Sequence, residues 1–370
     1  MEGYTVIARR WRPQRFSELV GQESIVRALS NAITAKRVAH AYLFVGPRGT
    51  GKTSTARLLA AALNNEKGPR VDFDPNTERC QAIFQGRSID VIEIDGASNN
   101  SVEQIRALRE ECQYAPAESS YKIYIIDEVH MLTTAAFNAL LKTLEEPPAH
   151  VKFIFATTEI HKVPNTIVSR CQHFTFFPLG TATIEQHLRH IVDAEKVQAE
   201  DVALHIIAQL AEGGMRDAQS MLDQLLAFSE GNLTAEAVQS MYGLLQEADL
   251  LALGKAIEQN DYAGILHGVD QVVQRGCDAY RVLLDLERYF HQKFLQAVKN
   301  PTNATYVPFV YAKLLDILHS GEEQLQHGLS IRSNLEAILF RAVECTKLTS
   351  IETLLQALNA LPDDIKKNAS

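Results

Sequence analysis

Gly46-Pro47-Arg48-Gly49-Thr50-Gly51-Lys52-Thr53 has the spacing G-x-x-x-x-G-K-[ST], which suits one task, the cradling of a polyphosphate. The glycines let successive backbone N–H groups curl around phosphate oxygens. Lys52 sets a compact cation on the β and γ oxygens, and the Thr53 hydroxyl can ligate magnesium. Ser54 to Leu63 reads as the helix that follows, with its N-terminal dipole toward the same anion, so Ser54 is counted in the binding segment. A second constellation, Ile125-Ile126-Asp127-Glu128-Val129-His130, places two acids at the exit of an apolar run. Asp127 is positioned to hold the hydrated magnesium. Glu128 is positioned to orient and polarise the water that attacks a γ-phosphate, so the pair points to nucleoside triphosphate hydrolysis and not to binding alone. His130 is expected to pack or cap. Thr157 and Thr158 close another apolar run, level with Asp127, where a hydroxyl can report on the γ-phosphate; taken alone they equally suit a strand edge.

These groups meet only if strand ends are brought side by side. Between Ala41 and about Phe177, short β-rich runs alternate with helical stretches, the pattern of an α/β domain around a parallel sheet. Ala41–Val45, Lys122–Ile126 and Val151–Ala156 are nearly continuous in apolar residues, as expected of strands covered on both faces, and Ile89–Ile94 is a fourth candidate. After Phe177-Pro178-Leu179-Gly180, a plausible hinge, everything reads as helix, including Val202–Glu212, Asp217–Phe228 and Tyr280–Val298. Gly231-Asn232 and the polar stretch Leu245–Asp249 suggest a second boundary. Three domains are expected: 1–179, an α/β nucleotide-binding domain; 180–243, a small helical lid; and 244–370, all-helical. The tail Asp363–Ser370 is expected to fray.

With 370 residues, 46% of them hydrophobic, the chain can bury a substantial core. No apolar run is long enough to span a bilayer and the N-terminus has no signal-peptide pattern, so a cytoplasmic protein without a membrane partner is expected. Five scattered cysteines do not form a disulfide framework. A net charge of -9 excludes a surface that binds nucleic acid everywhere, so any DNA contact must be local.

Several peptides together resemble one family. They are Trp11-Arg12-Pro13 with Val20-Gly21-Gln22, Asp127 to Leu132, Phe137-Asn138-Ala139-Leu140-Leu141-Lys142-Thr143-Leu144-Glu145-Glu146-Pro147-Pro148, and Ser169-Arg170-Cys171. The set is similar to the gamma/tau subunits of the bacterial DNA polymerase III clamp loader, which are AAA+ ATPases. It runs from Tyr4 to about residue 243; beyond that the likeness rests on helical character. The resemblance implies an ATP-hydrolysing subunit, with ATP and Mg2+, that opens a sliding clamp and loads it onto primer-template DNA. It has no polymerase site of its own. Its implied partners are delta, delta prime and further copies of itself in a pentameric ring, and the clamp. It puts Trp11, Arg12 and Val20 on the adenine side, makes Thr158 a first sensor and Arg216 a second, and makes Arg170 an arginine finger for a neighbouring site. Without it, Arg170 reads as a surface or capping arginine, and Arg216 needs no special role.

Other readings remain. A branch-migration motor of the same superfamily would also hydrolyse ATP on DNA, and a structural loader subunit would keep the fold without the chemistry. Ser169-Arg170-Cys171, the helical third domain and the intact Lys52, Thr53, Asp127 and Glu128 favour the ATPase loader. The basic cluster Arg9, Arg10, Arg12 and Arg15 is assigned to nucleotide pocket and fold, and DNA contact is sought at Ser98-Asn99-Asn100-Ser101 before a helix. The chain looks like the short, gamma-like form. One departure from the family stands out. Its members usually insert a four-cysteine zinc module where this chain has Asn64–Arg87, and here Asn65, Asp74, Thr77 and Cys80 take the four positions. One thiol and no imidazole make a poor zinc set, so no zinc is expected. Packing by Pro69, Phe73, Pro75, Ile83 and Phe84 is expected instead.

Overall fold

The computed structural model describes residues 5–229, 231–300, 306–327 and 330–347, which leaves the tail Asp363–Ser370 outside the described residues. Contacts gather into two compact units, Met1–Ala235 and Glu236–Ser370. Most of the segment expected as a lid lies in the first of these units, which ends at Ala235.

The first unit is built on β1 (Ala41–Val45), β2 (Val91–Asp95), β3 (Lys122–Asp127), β4 (Val151–Thr157) and β5 (Gln172–Thr175), in the order β2-β3-β4-β1-β5. All pairings are parallel. Alternation along the strands divides the core in two. Tyr42, Phe44, Ile123, Ile125, Ile154 and Ala156 face one layer with the helix Lys52–Leu63. Leu43, Tyr124, Ile126, Phe153 and Phe155 face the other, with the helices Val102–Glu111 and Thr134–Glu145. Because both faces are covered, β1 and β4 are buried along their whole length, which is why they read as continuous apolar runs.

Two strand expectations need correction. The run expected at Ile89–Ile94 begins at Val91; Ile89 is 69% exposed, and Asp90 instead accepts backbone N–H bonds from Ala117, Glu118 and Ser119. A fifth strand, Gln172–Thr175, went unrecognised because it is an edge strand with mostly exposed, polar residues. Beyond it, the elements among the described residues are helices apart from a two-residue parallel pairing of Gln198–Ala199 with Asn232–Leu233.

The second unit packs the helices Glu247–Glu258, Tyr262–Gln274, Ala279–Lys299, Pro308–His327 and Ile331–Thr346 around Leu253, Ile257, Val269, Leu286, Phe290 and Leu339. Among the described residues no helix is long and apolar enough to cross a membrane.

Candidate functional site

Gly46 takes the chain off β1 with its N–H on Thr157 O at 3.2 Å; a Cβ here would lie 2.3 Å from Phe176 O, so no larger residue fits. Gly51, at φ +100°, turns the loop into the helix Lys52–Leu63. That helix is buried through most of its length, which anchors the loop from behind. Lys52 is only 5% exposed, and its Nζ donates to Gly46 O at 2.8 Å and Pro47 O at 2.9 Å. Burial pulls its ammonium pKa down, while Glu128 and Asp127 act to raise it.

The acidic end is assembled from the ends of β3 and β4 and the first turn of the helix Lys52–Leu63. Thr53 Oγ1 donates to Asp127 Oδ2 at 2.6 Å, which joins the loop helix to the end of β3. Glu128, one residue on, has φ +45°, a left-handed backbone that costs a side-chain-bearing residue energy and is characteristic of functional turns. Its Oε2 accepts from Thr158 Oγ1 at 3.2 Å and Thr158 N–H at 3.4 Å. His130, expected only to pack or cap, lies with Nδ1 3.0 Å from Thr157 Oγ1 and 3.3 Å from Glu128 Oε2. It therefore touches the carboxylate that the sequence singles out for activating water.

Trp11, Arg12, Val20, Arg48, Gly49, Thr50, Gly51, Lys52, Thr53, Ser54, Asp127, Glu128 and Arg216 line one cavity of about 660 Å³. Arg216 reaches it from the first turn of the helix Met215–Phe228, whose start touches the loop through Arg216 N–H to Gly49 O at 3.4 Å. Arg12 brings a further cation to a wall that also holds Arg48, Lys52, Arg57 and Arg216; burial and the neighbouring Arg57 push its guanidinium pKa down, opposed by Glu93. Such a concentration of positive charge suits a polyanion. Gly46, Pro47 and Thr158 are not in the cavity wall: the first two stand behind the loop as acceptors for Lys52, and Thr158 donates to Glu128.

Arg170 does not line this cavity. Its guanidinium donates to Thr166 O and to Glu145 Oε1, both at 2.7 Å. At the segment considered for DNA contact, side chains already serve the backbone. Ser101 caps the helix Val102–Glu111 in a box with Gln104, and the Asp95 carboxylate takes Ser98 Oγ and Ala97 N–H. A carboxylate in that position disfavours a phosphate. In Asn64–Arg87, Thr77 caps the helix Glu78–Phe84, Asn65 Oδ1 accepts from Lys67 N–H and Asp74 Oδ1 from Asn76 N–H. Phe73, Pro75, Cys80 and Ile83 are buried, but Pro69, expected among the packing residues, is exposed.

Sequence reasoning missed Arg57, Glu93, Leu179, His187, Met215 and Gln219, all in the cavity wall. Gln219 carried a signal, being three residues after Arg216 on the same helix and so on the same face. His187 carried none, since only the packing of its helix, Thr181–Ala194, brings it there.

Three family models match the chain: DNA polymerase III, delta subunit, over residues 21–180; DNA polymerase III clamp loader subunit, ATPase lid domain, over 183–231; and DNA polymerase III subunits gamma and tau domain III, over 233–308. The DNA polymerase III subunit gamma of Buchnera aphidicola subsp. Acyrthosiphon pisum is 35% identical over 92% of this chain and 99% of its own length. The chain belongs to the DNA polymerase III gamma/tau family. The tau subunits of Bacillus subtilis and Escherichia coli are 46% and 44% identical over 79% and 78% of this chain. The chain spans about half the length of those relatives, 52% and 45%. The gamma and tau domain III model falls where the sequence offered only helical character. A Thermotoga maritima RuvB branch migration motor superposes with a TM-score of 0.47 at 19% identity, over 68% of this chain and 80% of that one, a likeness too low to bear on function.

Proposed function

We propose that this gamma/tau-family chain is an ATP-hydrolysing motor subunit of a clamp loader. The observation that carries the reading is the 2.6 Å contact of Thr53 with Asp127 beside a Glu128 held by Thr158. The phosphate loop, the cation-binding acid and the water-orienting carboxylate are thereby assembled at one point. Thr53 Oγ1 and Asp127 Oδ2 are the hard oxygen donors that magnesium takes, and the ion supplies charge neutralisation on the phosphate oxygens. Lys52 and the loop N–H groups bind and orient the triphosphate. Glu128 accepts a hydrogen bond from the attacking water and aligns it with the γ-phosphorus, while Thr158 fixes the carboxylate. Arg216 carries the state of the phosphates to the helix on which it stands, and Arg12, Trp11 and Val20 form the nucleoside side. Arg170, outside its own cavity, fits a finger that completes the site of a neighbouring subunit.

The partners follow from the family. They are delta, delta prime and further copies of this chain in a pentameric ring, a sliding clamp and primer-template DNA, with the chain acting in the cytoplasm as part of the DNA polymerase III holoenzyme. The Glu128→Gln protein is expected to bind ATP like the parent, to hydrolyse it at least a hundredfold more slowly, and to hold the clamp in pull-downs with the other loader subunits when ATP is present. Parental turnover in that variant, or clamp capture indifferent to ATP, would refute the proposal.

A further inference from the structure

Two residues of the cavity wall are unexplained by phosphate chemistry. His187 and Gln219 lie there with the apolar side chains of Val20, Leu179 and Met215, a surface suited to a flat base and not to an anion. Gln219 is 5% exposed, and the hydrogen bond that the structure gives it runs from Nε2 to His187 Nε2 at 3.3 Å. Two nitrogens can share a hydrogen bond here only if the amide donates and the ring nitrogen accepts, so His187 carries its proton on Nδ1. Burial, and then the neighbouring His190, hold the imidazole below its ordinary pKa, in keeping with a neutral ring. The ring is also braced. Trp11 meets His187 and His190 edge-on, with centroids at 6.5 and 5.4 Å, and is itself tied by Nε1 to Glu195 at 3.0 Å. The two side chains therefore hold one another: one amide N–H of Gln219 is engaged by His187, and the carbonyl oxygen is left for the cavity.

We propose that the His187–Gln219 pair reads the nucleobase, with Gln219 Oε1 accepting a hydrogen bond from the 6-amino group of an adenine nucleotide and rejecting the 6-oxo group of guanine. The proposal rests on the cavity being the ATP site. An amide free to turn would accept either base, because it offers a donor at one end and an acceptor at the other. Held by His187 through one N–H, it cannot turn its nitrogen into the place of its oxygen, and guanine O6 set against that oxygen would meet it lone pair to lone pair.

The test is equilibrium binding, with magnesium, of ATP, GTP and purine riboside triphosphate, which lacks any 6-substituent. The parent is expected to bind ATP about tenfold more tightly than the unsubstituted analogue, the worth of one hydrogen bond, and GTP more weakly still. Gln219→Leu should bring the three affinities to within about threefold of one another. Gln219→Glu keeps an acceptor and should retain the preference for ATP, and His187→Ala, which frees the amide, should narrow the gap between ATP and GTP. A parent that binds ATP and purine riboside triphosphate alike overturns the proposal without any variant, as does a Gln219→Leu protein with the parental ratios. Lys52→Ala separates this failure from that of the underlying reading. If it loses ATP while the parent binds ATP and purine riboside triphosphate alike, only base reading falls; if it binds ATP like the parent, the site itself is misassigned.

Discussion

Removing the Lys52 ammonium probes the site most directly. Nζ is buried and donates to two loop carbonyls at 2.8 and 2.9 Å, so its position is set before any nucleotide enters. A hydrogen bond to a charged group contributes about 1.5–3 kcal/mol, and two such bonds to phosphate oxygens would hold about 3–6 kcal/mol of affinity. The lysine gives up its carbonyl partners to make them, so the net loss should lie near the lower end. About 3 kcal/mol is on the order of a hundredfold in Kd. Truncation to Ala also removes a buried stem, so Lys52→Met, which keeps the length without the charge, is the decisive variant. Isothermal titration with Mg-ATP measures the loss, and the melting temperature without nucleotide checks the fold. A Lys52→Met protein with a parental melting temperature and a Kd within threefold of the parent would refute the assignment.

Arg170→Ala removes an ion pair with a half-exposed Glu145 that is worth under about 1 kcal/mol, so stability and ATP binding by its own subunit should hold. Turnover of the assembled loader should fall by about a thousandfold. Mixing with finger-intact subunits that carry a dead phosphate loop should restore part of it, and no restoration at all would exclude action in trans. Metal analysis of protein purified without chelator should find no stoichiometric zinc: Cys80 is 1% exposed, and burial pushes its thiol pKa up, away from the thiolate that zinc requires. About one zinc per chain, lost on Cys80→Ser, would sink this expectation. Burial acts to raise the Asp90 pKa, but the bonds from Ala117, Glu118 and Ser119 outweigh it and hold the carboxyl below its usual value. Its stabilisation is thus fully present above the unfolded pKa of about 3.9 and is lost as pH falls through the lower folded value. Asp90→Asn should cost about 1–3 kcal/mol at neutral pH and flatten the acid limb of a plot of stability against pH, so an unchanged limb would contradict the account.

Part of this molecule is legible one residue at a time. The loop from Gly46 to Thr53 stands out because the proposed phosphate binding needs glycine at positions where a Cβ would strike Phe176 O, or where φ is positive, and needs a cation and a hydroxyl next. Asp127 and Glu128 declare themselves because two carboxylates at the end of a buried strand have no structural reason to be there. The central strands are equally plain, since burial on both faces removes every polar residue from their middles. The exposed edge strand Gln172–Thr175 lacks that constraint and left no trace.

What the tertiary structure alone decided is the set of meetings between distant segments. Thr53 and Asp127 are far apart in the chain yet share a 2.6 Å hydrogen bond, because the parallel sheet brings the end of β3 beside the helix that leaves β1. His130 against Glu128 depends on a left-handed turn that no propensity announces. His187 and Gln219 lie on separate helices, each amphipathic for ordinary reasons of packing. Their contact exists because those helices bury their apolar faces together and leave these two polar side chains at the cavity wall. Residue types and local spacing determine which chemistry is possible; the packing of apolar faces determines which side chains are present to perform it.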